Sequence, residues 1–82
     1  MDEYLGVIKL IAGNFCPDGF LYCDGQTLQI QQNAALYSLL GNQYGGNSQQ
    51  TFCLPNLNKN PILQGTTLKY IICVNGMYPS RP

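Results

Sequence analysis

The chain reads Ala12-Gly13-Asn14-Phe15, then Pro17-Asp18-Gly19-Phe20-Leu21-Tyr22-Cys23-Asp24-Gly25-Gln26. These residues sit inside a longer patterned stretch that opens at Gly6-Val7-Ile8 and closes at Thr51-Phe52-Cys53-Leu54-Pro55-Asn56-Leu57. Between them come Gln32-Asn33-Ala34-Ala35-Leu36-Tyr37-Ser38-Leu39-Leu40-Gly41 and Tyr44-Gly45-Gly46. Turn glycine, aromatic and apolar residue recur at fixed spacing, with no catalytic triad and no metal-ligand cluster. Such a pattern belongs to a small assembly module, so the question becomes what the chain builds.

Working outward, Gly6 to Ile11 reads as a strand with Lys9 exposed, and Gly13-Asn14 breaks it. Pro17-Asp18-Gly19 has the composition of a tight turn. Phe20 to Cys23 reads as a second strand, and Asp24-Gly25 as a two-residue hairpin with Gln26 to Ile30 as its short return arm. From about Gln32 to Leu40 the period becomes helical, with Ala35, Leu36, Leu39 and Leu40 on one stripe. Gly41 fits the residue that ends a helix in the left-handed region. Asn33 is placed either to cap the helix or to face the neighbouring loop. Gly45 to Gln50 is loop, and Leu54 to Leu57 is extended because a residue before proline avoids the helical region. Asn58 to Thr67 reads as irregular. Leu68 to Val74 is the strongest strand, with Leu68, Tyr70, Ile72 and Val74 on one face and Ile71 and Cys73 on the other. Apolar residues on both faces mark a central strand, or one covered by another subunit. After the Asn75-Gly76 turn, Met77-Tyr78-Pro79 looks too short to pair. The expected fold is α+β: a small antiparallel sheet, one short helix and long irregular loops in a single domain over residues 1–82.

Composition argues for association. At 82 residues the core is small, and ordering entropy of about 1.5 kcal/mol per residue nearly cancels what such a core returns. Disulfides, metal or oligomerisation are the usual remedies. Only 10% of residues are charged, against about 25–35% on the surface of a well-behaved monomer. Several of these charges, Asp2, Glu3, Lys9 and Arg81, lie toward the ends. An uncharged surface rich in Gln, Asn, Gly and Thr is better suited to cover by neighbouring subunits. Zero net charge gives no support for nucleic acid or an anionic membrane as partner. No apolar run approaches the roughly 20 residues of a membrane span. The acidic start Met1-Asp2-Glu3-Tyr4 lacks a secretory layout, so synthesis in the cytoplasm without a signal peptide is expected.

The chemistry of catalysis is missing. There is no histidine, which removes the commonest general base and metal ligand. Asp2, Glu3, Asp18 and Asp24 all occupy turn or terminal contexts; Asp18 and Asp24 could meet across a hairpin base, but turn chemistry accounts for both. Ser38, Ser48 and Ser80 have no base to activate them. Gly45-Gly46 precedes neither helix nor lysine and is no phosphate loop. The four cysteines, Cys16, Cys23, Cys53 and Cys73, permit three full pairings between which sequence does not choose. Three of them have apolar neighbours and read as reduced core thiols. Close C-x₂₋₄-C pairs are absent, the nearest spacing being Cys16 to Cys23, so neither a structural metal nor a cofactor is expected.

Nine aromatic residues remain, six Tyr and three Phe. Phe20, Phe52 and Tyr70 fall in strand patterns and read as core. Phe15, Tyr44 and Tyr78 lie in loops, where aromatic residues either pack locally or anchor interfaces and ligands. With Asn47, and with Tyr70 and Ile71 of the two-sided strand, they form the candidate interface or ligand set.

The ordered series from Gly6 to Leu57 resembles the phage tail collar domain family, which includes the microcystin-dependent proteins. Ala12-Gly13-Asn14-Phe15 with Pro17 and Gly19, Cys23-Asp24-Gly25-Gln26, and Gln32-Asn33 with Ala35-Leu36 through Gly41 carry it. So do Tyr44-Gly45-Gly46, Thr51-Phe52 with Leu54-Pro55, and the closing Tyr70-Ile71-Ile72-Cys73-Val74-Asn75-Gly76 with Tyr78-Pro79. The chain departs from the family at Phe20, where a tryptophan or other bulky aromatic is usual. It departs at Asn56, where aspartate is usual, and at Asn58-Lys59-Asn60, which replaces a basic Arg-Gly-Arg-type run. Only Pro61 to Thr67 stands where longer members carry a glycine-rich insert, so receptor recognition by that insert does not carry over. Alanine is common at Cys16 and Cys53; facing one another, these two could oxidise.

The resemblance implies a structural, self-assembling part of a phage tail or tail-like contractile injection apparatus: fibre, collar, cap or baseplate. It implies homo-oligomers, often trimers, in contact with other tail proteins and carried in a virion tail or tail-like particle. The alternative from another class is a module that binds a glycan or cell-surface polymer through Tyr44, Asn47, Tyr78 and neighbouring amides. The first requires a defined oligomer without ligand; the second allows a monomer with a shallow aromatic pocket.

Overall fold

The computed structural model describes residues 3–79. Asp2, Ser80 and Arg81 lie outside the described residues. The apolar run after Gly6 forms strand β1, Ile8–Ala12, and the arm after Gly19 forms the short strand β2, Phe20–Tyr22. Strand β3 (Thr27–Gln29) leads into helix α1 (Ala34–Leu40), and β4 (Thr51–Cys53) follows the glycine loop. A 3-10 turn at Pro61–Leu63 precedes the last strand, β5 (Leu68–Cys73). β5 lies between β1 and β2 in an antiparallel sheet, with Ile8 opposite Ile72 and Tyr22 opposite Ile71. β3 and β4 make a second antiparallel pair, with Leu28 opposite Phe52. The α+β expectation holds, and β5 is the central strand its two apolar faces predict.

The hairpin at Asp24-Gly25 does not form. β3 does not return along β2; it pairs with β4, while β2 pairs with β5. The reason lies in the residues that follow Cys23. Asp24 bridges to Asn56, the Gly25 N–H donates to the Pro55 carbonyl, and the Leu54 N–H donates to the Gln26 carbonyl. Residues 24–29 thus run antiparallel to residues 51–56 in one register, interrupted at Pro55, which has no N–H to give. The chain carries its backbone bonds from one sheet to the other across Asp24-Gly25. Met77, expected to be unpaired, makes a single parallel bridge with Tyr4.

Helix α1 is shorter than the span from Gln32. Asn33 precedes it without a side-chain cap and donates instead from Nδ2 to the Gln29 carbonyl at 3.0 Å, the loop-facing role. Its buried face is Leu36, Tyr37 and Leu40 rather than the expected stripe, because Tyr37 packs on Phe52 with ring centroids 5.3 Å apart. Ala35 and Leu39 are exposed. Gly41 closes the helix by donating to the Tyr37 carbonyl at 2.7 Å. Its φ of +61° comes with ψ of −154°, an extended conformation open essentially to glycine alone and not the left-handed helical region.

Cys23, Leu36, Phe52, Leu54 and Ile72 form the centre of the core, and Leu21, Leu28, Tyr70 and Val74 pack around it. Each fully buried side chain of this kind contributes roughly 1.5–3 kcal/mol. Gly46 is held against the backbone of Phe52: a Cβ there would strike the Phe52 Cα and the Thr51 carbonyl, at a φ of +104°.

One polar residue lies among these. Asn58 stands beside β5 just past the end of β2, with its Oδ1 accepting the Tyr70 N–H at 2.6 Å. Its Nδ2 donates to the Tyr70 carbonyl and to Asp24 Oδ1, both at 3.0 Å. Its own N–H donates to the Cys23 carbonyl at 3.2 Å. The side-chain amide therefore pairs with Tyr70 as a strand residue would, taking the Tyr70 N–H and sharing its carbonyl with the Cys23 N–H, which donates to it at 3.0 Å. Truncation in Asn58→Ala strands the Tyr70 N–H, and an unsatisfied buried donor costs about 1–3 kcal/mol. For a chain of this size the melting temperature should fall by about 8–16 °C for a loss of about 2 kcal/mol; a shift below about 3 °C in thermal unfolding would contradict this role.

Candidate functional site

The sequence candidates fall into separate regions. Phe15 follows β1 in the loop 13–19 and is 79% exposed. Tyr44 and Asn47 belong to the glycine loop, where Asn47 is committed to its own backbone. Its Oδ1 accepts the N–H groups of Gln49, Gln50 and Thr51 at 2.7–3.0 Å, and its N–H donates to Thr51 Oγ1. Asn47 therefore shapes the loop rather than offering a free amide. Beside it opens a shallow cleft of about 340 Å³ lined by Gln29, Ile30, Gln31, Gln49, Gln50 and Thr51. Tyr44 is half-exposed outside that lining.

Tyr78 lies across the molecule against the helix. Its hydroxyl shares a 2.7 Å hydrogen bond with Ser38 Oγ, which donates to the Ala35 carbonyl. Tyr70 packs half-buried on the core and gives its backbone to Asn58. Ile71 is 1% exposed within its own chain, on the opposite face of β5, so its contact with a partner would have to pass over its neighbours. Those neighbours, Lys9, Ile11, Pro17 and Phe20 with Glu3 and Asp18, wall an apolar groove of about 430 Å³.

At the rim of this groove Lys9 pairs with Glu3, and its Nζ stands 5.9 Å from the Phe20 ring centre. The hydrogen bond from Lys9, followed by that from the Tyr4 N–H, holds the partly buried Glu3 carboxyl below its usual range. The cation is thereby matched within the chain. Asp18 lines the groove while Asp24 accepts from Asn58, so the two serve different contacts.

All four cysteines are free thiols. Cys16 donates to the Phe20 carbonyl at 3.3 Å, whereas Cys53 sits 3.4 Å from Thr27 Oγ1 in the other sheet. The pairing of Cys16 with Cys53 is therefore corrected: each lies against a different sheet. Burial above all, then the charges of Asp24 and Cys16, push the Cys23 thiol up to about 11. Burial also raises Cys16. Cys23 is protonated at neutral pH and poor as a nucleophile.

Sequence reading missed two features. Asn58 carried no visible signal beyond its departure from a basic run. Ile8 and Leu10 are exposed although they share the face of Ile72 and Tyr70; the apolar pattern does not show that β1 is the edge of its sheet.

A family model described as Phage Tail Collar Domain matches residues 6–62. No curated protein matches the chain.

The thiol environments are checked by timed iodoacetamide labelling and peptide mass mapping near pH 8. Half-exposed Cys53 should react well before buried Cys23 and Cys73, which should label only on unfolding. Early labelling of Cys23 in the folded chain would contradict its placement.

Proposed function

Because this chain belongs to the phage tail collar domain family, we propose that it is a structural, self-assembling component of a phage tail or phage-tail-like contractile injection apparatus, acting as a fibre, collar, cap or baseplate part. The match over residues 6–62 carries this reading. The surface supports the self-assembly: Ile8, Leu10, Phe15, Ile62 and Met77 stand exposed on a chain with four acids and four bases. Exposed apolar side chains rimmed by neutral amides are what a subunit contact uses. The resemblance implies three copies about one axis, joined to other tail proteins. On this reading residues 1–82 act as one collar-like unit.

A second reading takes the cleft beside β3 and β4 as a site for a glycan or cell-surface polymer. Four glutamines line it, and primary amides both donate to and accept from sugar hydroxyls. The two readings are compatible within one particle.

Light scattering behind a sizing column, with and without reductant, separates them. Self-assembly predicts a discrete integer multiple of the chain mass that reductant leaves unchanged, since the thiols are free. A monomer at every concentration would overturn self-assembly and leave the glutamine cleft to be tested by glycan screening.

A further inference from the structure

The outer edge of β1 is built to continue the sheet. The Val7 carbonyl accepts the Cys73 N–H at 2.9 Å, and the Gly13 N–H donates to the Thr67 carbonyl at 3.2 Å. Alternation along the strand then aims the backbone groups of Val7, Lys9, Ile11 and Gly13 at β5 and those of Ile8, Leu10 and Ala12 away from it. Among the described residues, the strand order β1-β5-β2 puts no strand on that side. Ile8 and Leu10 are 39% and 47% exposed there. Proteins usually protect such an edge with proline, a bulge or an outward charge. β1 has no proline, and its register with β5 runs without a bulge from Ile8 to Ala12; the irregularity at Gly6-Val7, which both bond Cys73, comes just before it. The strand's one charge, Lys9, is already matched by Glu3.

Resting on the self-assembly reading, the geometry points to a second copy of this chain as the occupant, added antiparallel along β1 with Leu10 on the two-fold axis. In that register the two Leu10 residues exchange N–H and carbonyl bonds, and Ile8 stands opposite Ala12. Every outward backbone group of the strand is then satisfied. Lys9 stands opposite Ile11 of the second copy, so the two cations never face each other, as they would with Lys9 on the axis. Moving the axis to Ile8 runs the pairing into Gly6, whose N–H is bound to the Cys73 carbonyl. Moving it to Ala12 runs it past the strand end at Asn14. Leu10 is the one centre that uses the whole strand.

The contact is isologous, and the two three-stranded sheets become one. A five-residue strand buries less than the roughly 1,600 Å² of a standard interface, so the pairing alone depends on concentration. It gives even numbers of copies: two, or six where three-fold association operates as well.

The test compares the solution mass of the wild-type chain with that of Leu10→Pro and Leu10→Lys. Proline removes only the outward N–H at this position and leaves the β1–β5 bonds in place; lysine sets two cations on the axis. Both variants should keep the wild-type circular dichroism and show half its mass. If a variant unfolds, amide hydrogen exchange of the wild-type chain decides. Ile8, Leu10 and Ala12 should then exchange as slowly as β5 and speed up on dilution. A three-copy wild type, unchanged mass in both folded variants, or exchange of these amides at loop rates would overturn the edge pairing and leave self-assembly standing. A wild-type monomer at every concentration would overturn both.

Discussion

The hydrogen bonds between the Asn58 side chain and the backbone of Tyr70 hold the two halves of this fold in one register. β2 spans only Phe20–Tyr22, too short to satisfy the length of β5. Beyond it, β5 would present an unpaired N–H to the interior. The Asn58 amide supplies both an acceptor and a donor at the required spacing, and its second N–H fixes Asp24. Because Leu57 and Asn58 also donate to the Cys23 carbonyl, one residue joins β5, the exit of β2 and the segment that returns from β4. A neutral amide does this without the cost of burying a charge.

The rest of the core follows from that junction. With residues 24–29 tied to 51–56, Leu28, Phe52 and Leu54 face Ile72, and the helix closes the layer through Leu36 and Tyr37. The fit is tight at Gly46, where no side chain is admitted. Cys23 behaves as a small apolar side chain within it, shielded from reaction by the same burial that places it in the core. A chain this small has only about 5–15 kcal/mol of net stability to draw on, so one satisfied amide is a large share.

Much of the layout is visible in the residues. β1, β2, β5 and α1 lie where period-two and helical patterns put them, and the collar-type series from Gly6 to Leu57 anticipated the family match. What the pattern could not supply was partnership. Asp24-Gly25 has the composition of a hairpin, but Pro55 and Asn56, thirty residues on, offer backbone groups that win. The helix face was misjudged because Tyr37 counts as polar in a stripe, while its ring packs on Phe52. Asn58 and Asn47 look alike as loop amides, yet one is buried against a strand and the other closes a surface turn. Ile8 and Leu10 lie on the same face as Ile72 and Tyr70 yet stay exposed, because β1 is the edge strand of its sheet and hydrophobicity does not say how far the core extends.

Hydrogen exchange followed by NMR at the Asn58 side-chain amide and the Tyr70 backbone amide reaches this junction most directly. If Asn58 stands in for a strand residue, both should exchange only by opening of the whole domain, at the rate of the Ile72 amide. Exchange of the Asn58 Nδ2 protons at the rate of solvent-exposed glutamines, with Tyr70 unprotected, would contradict the account.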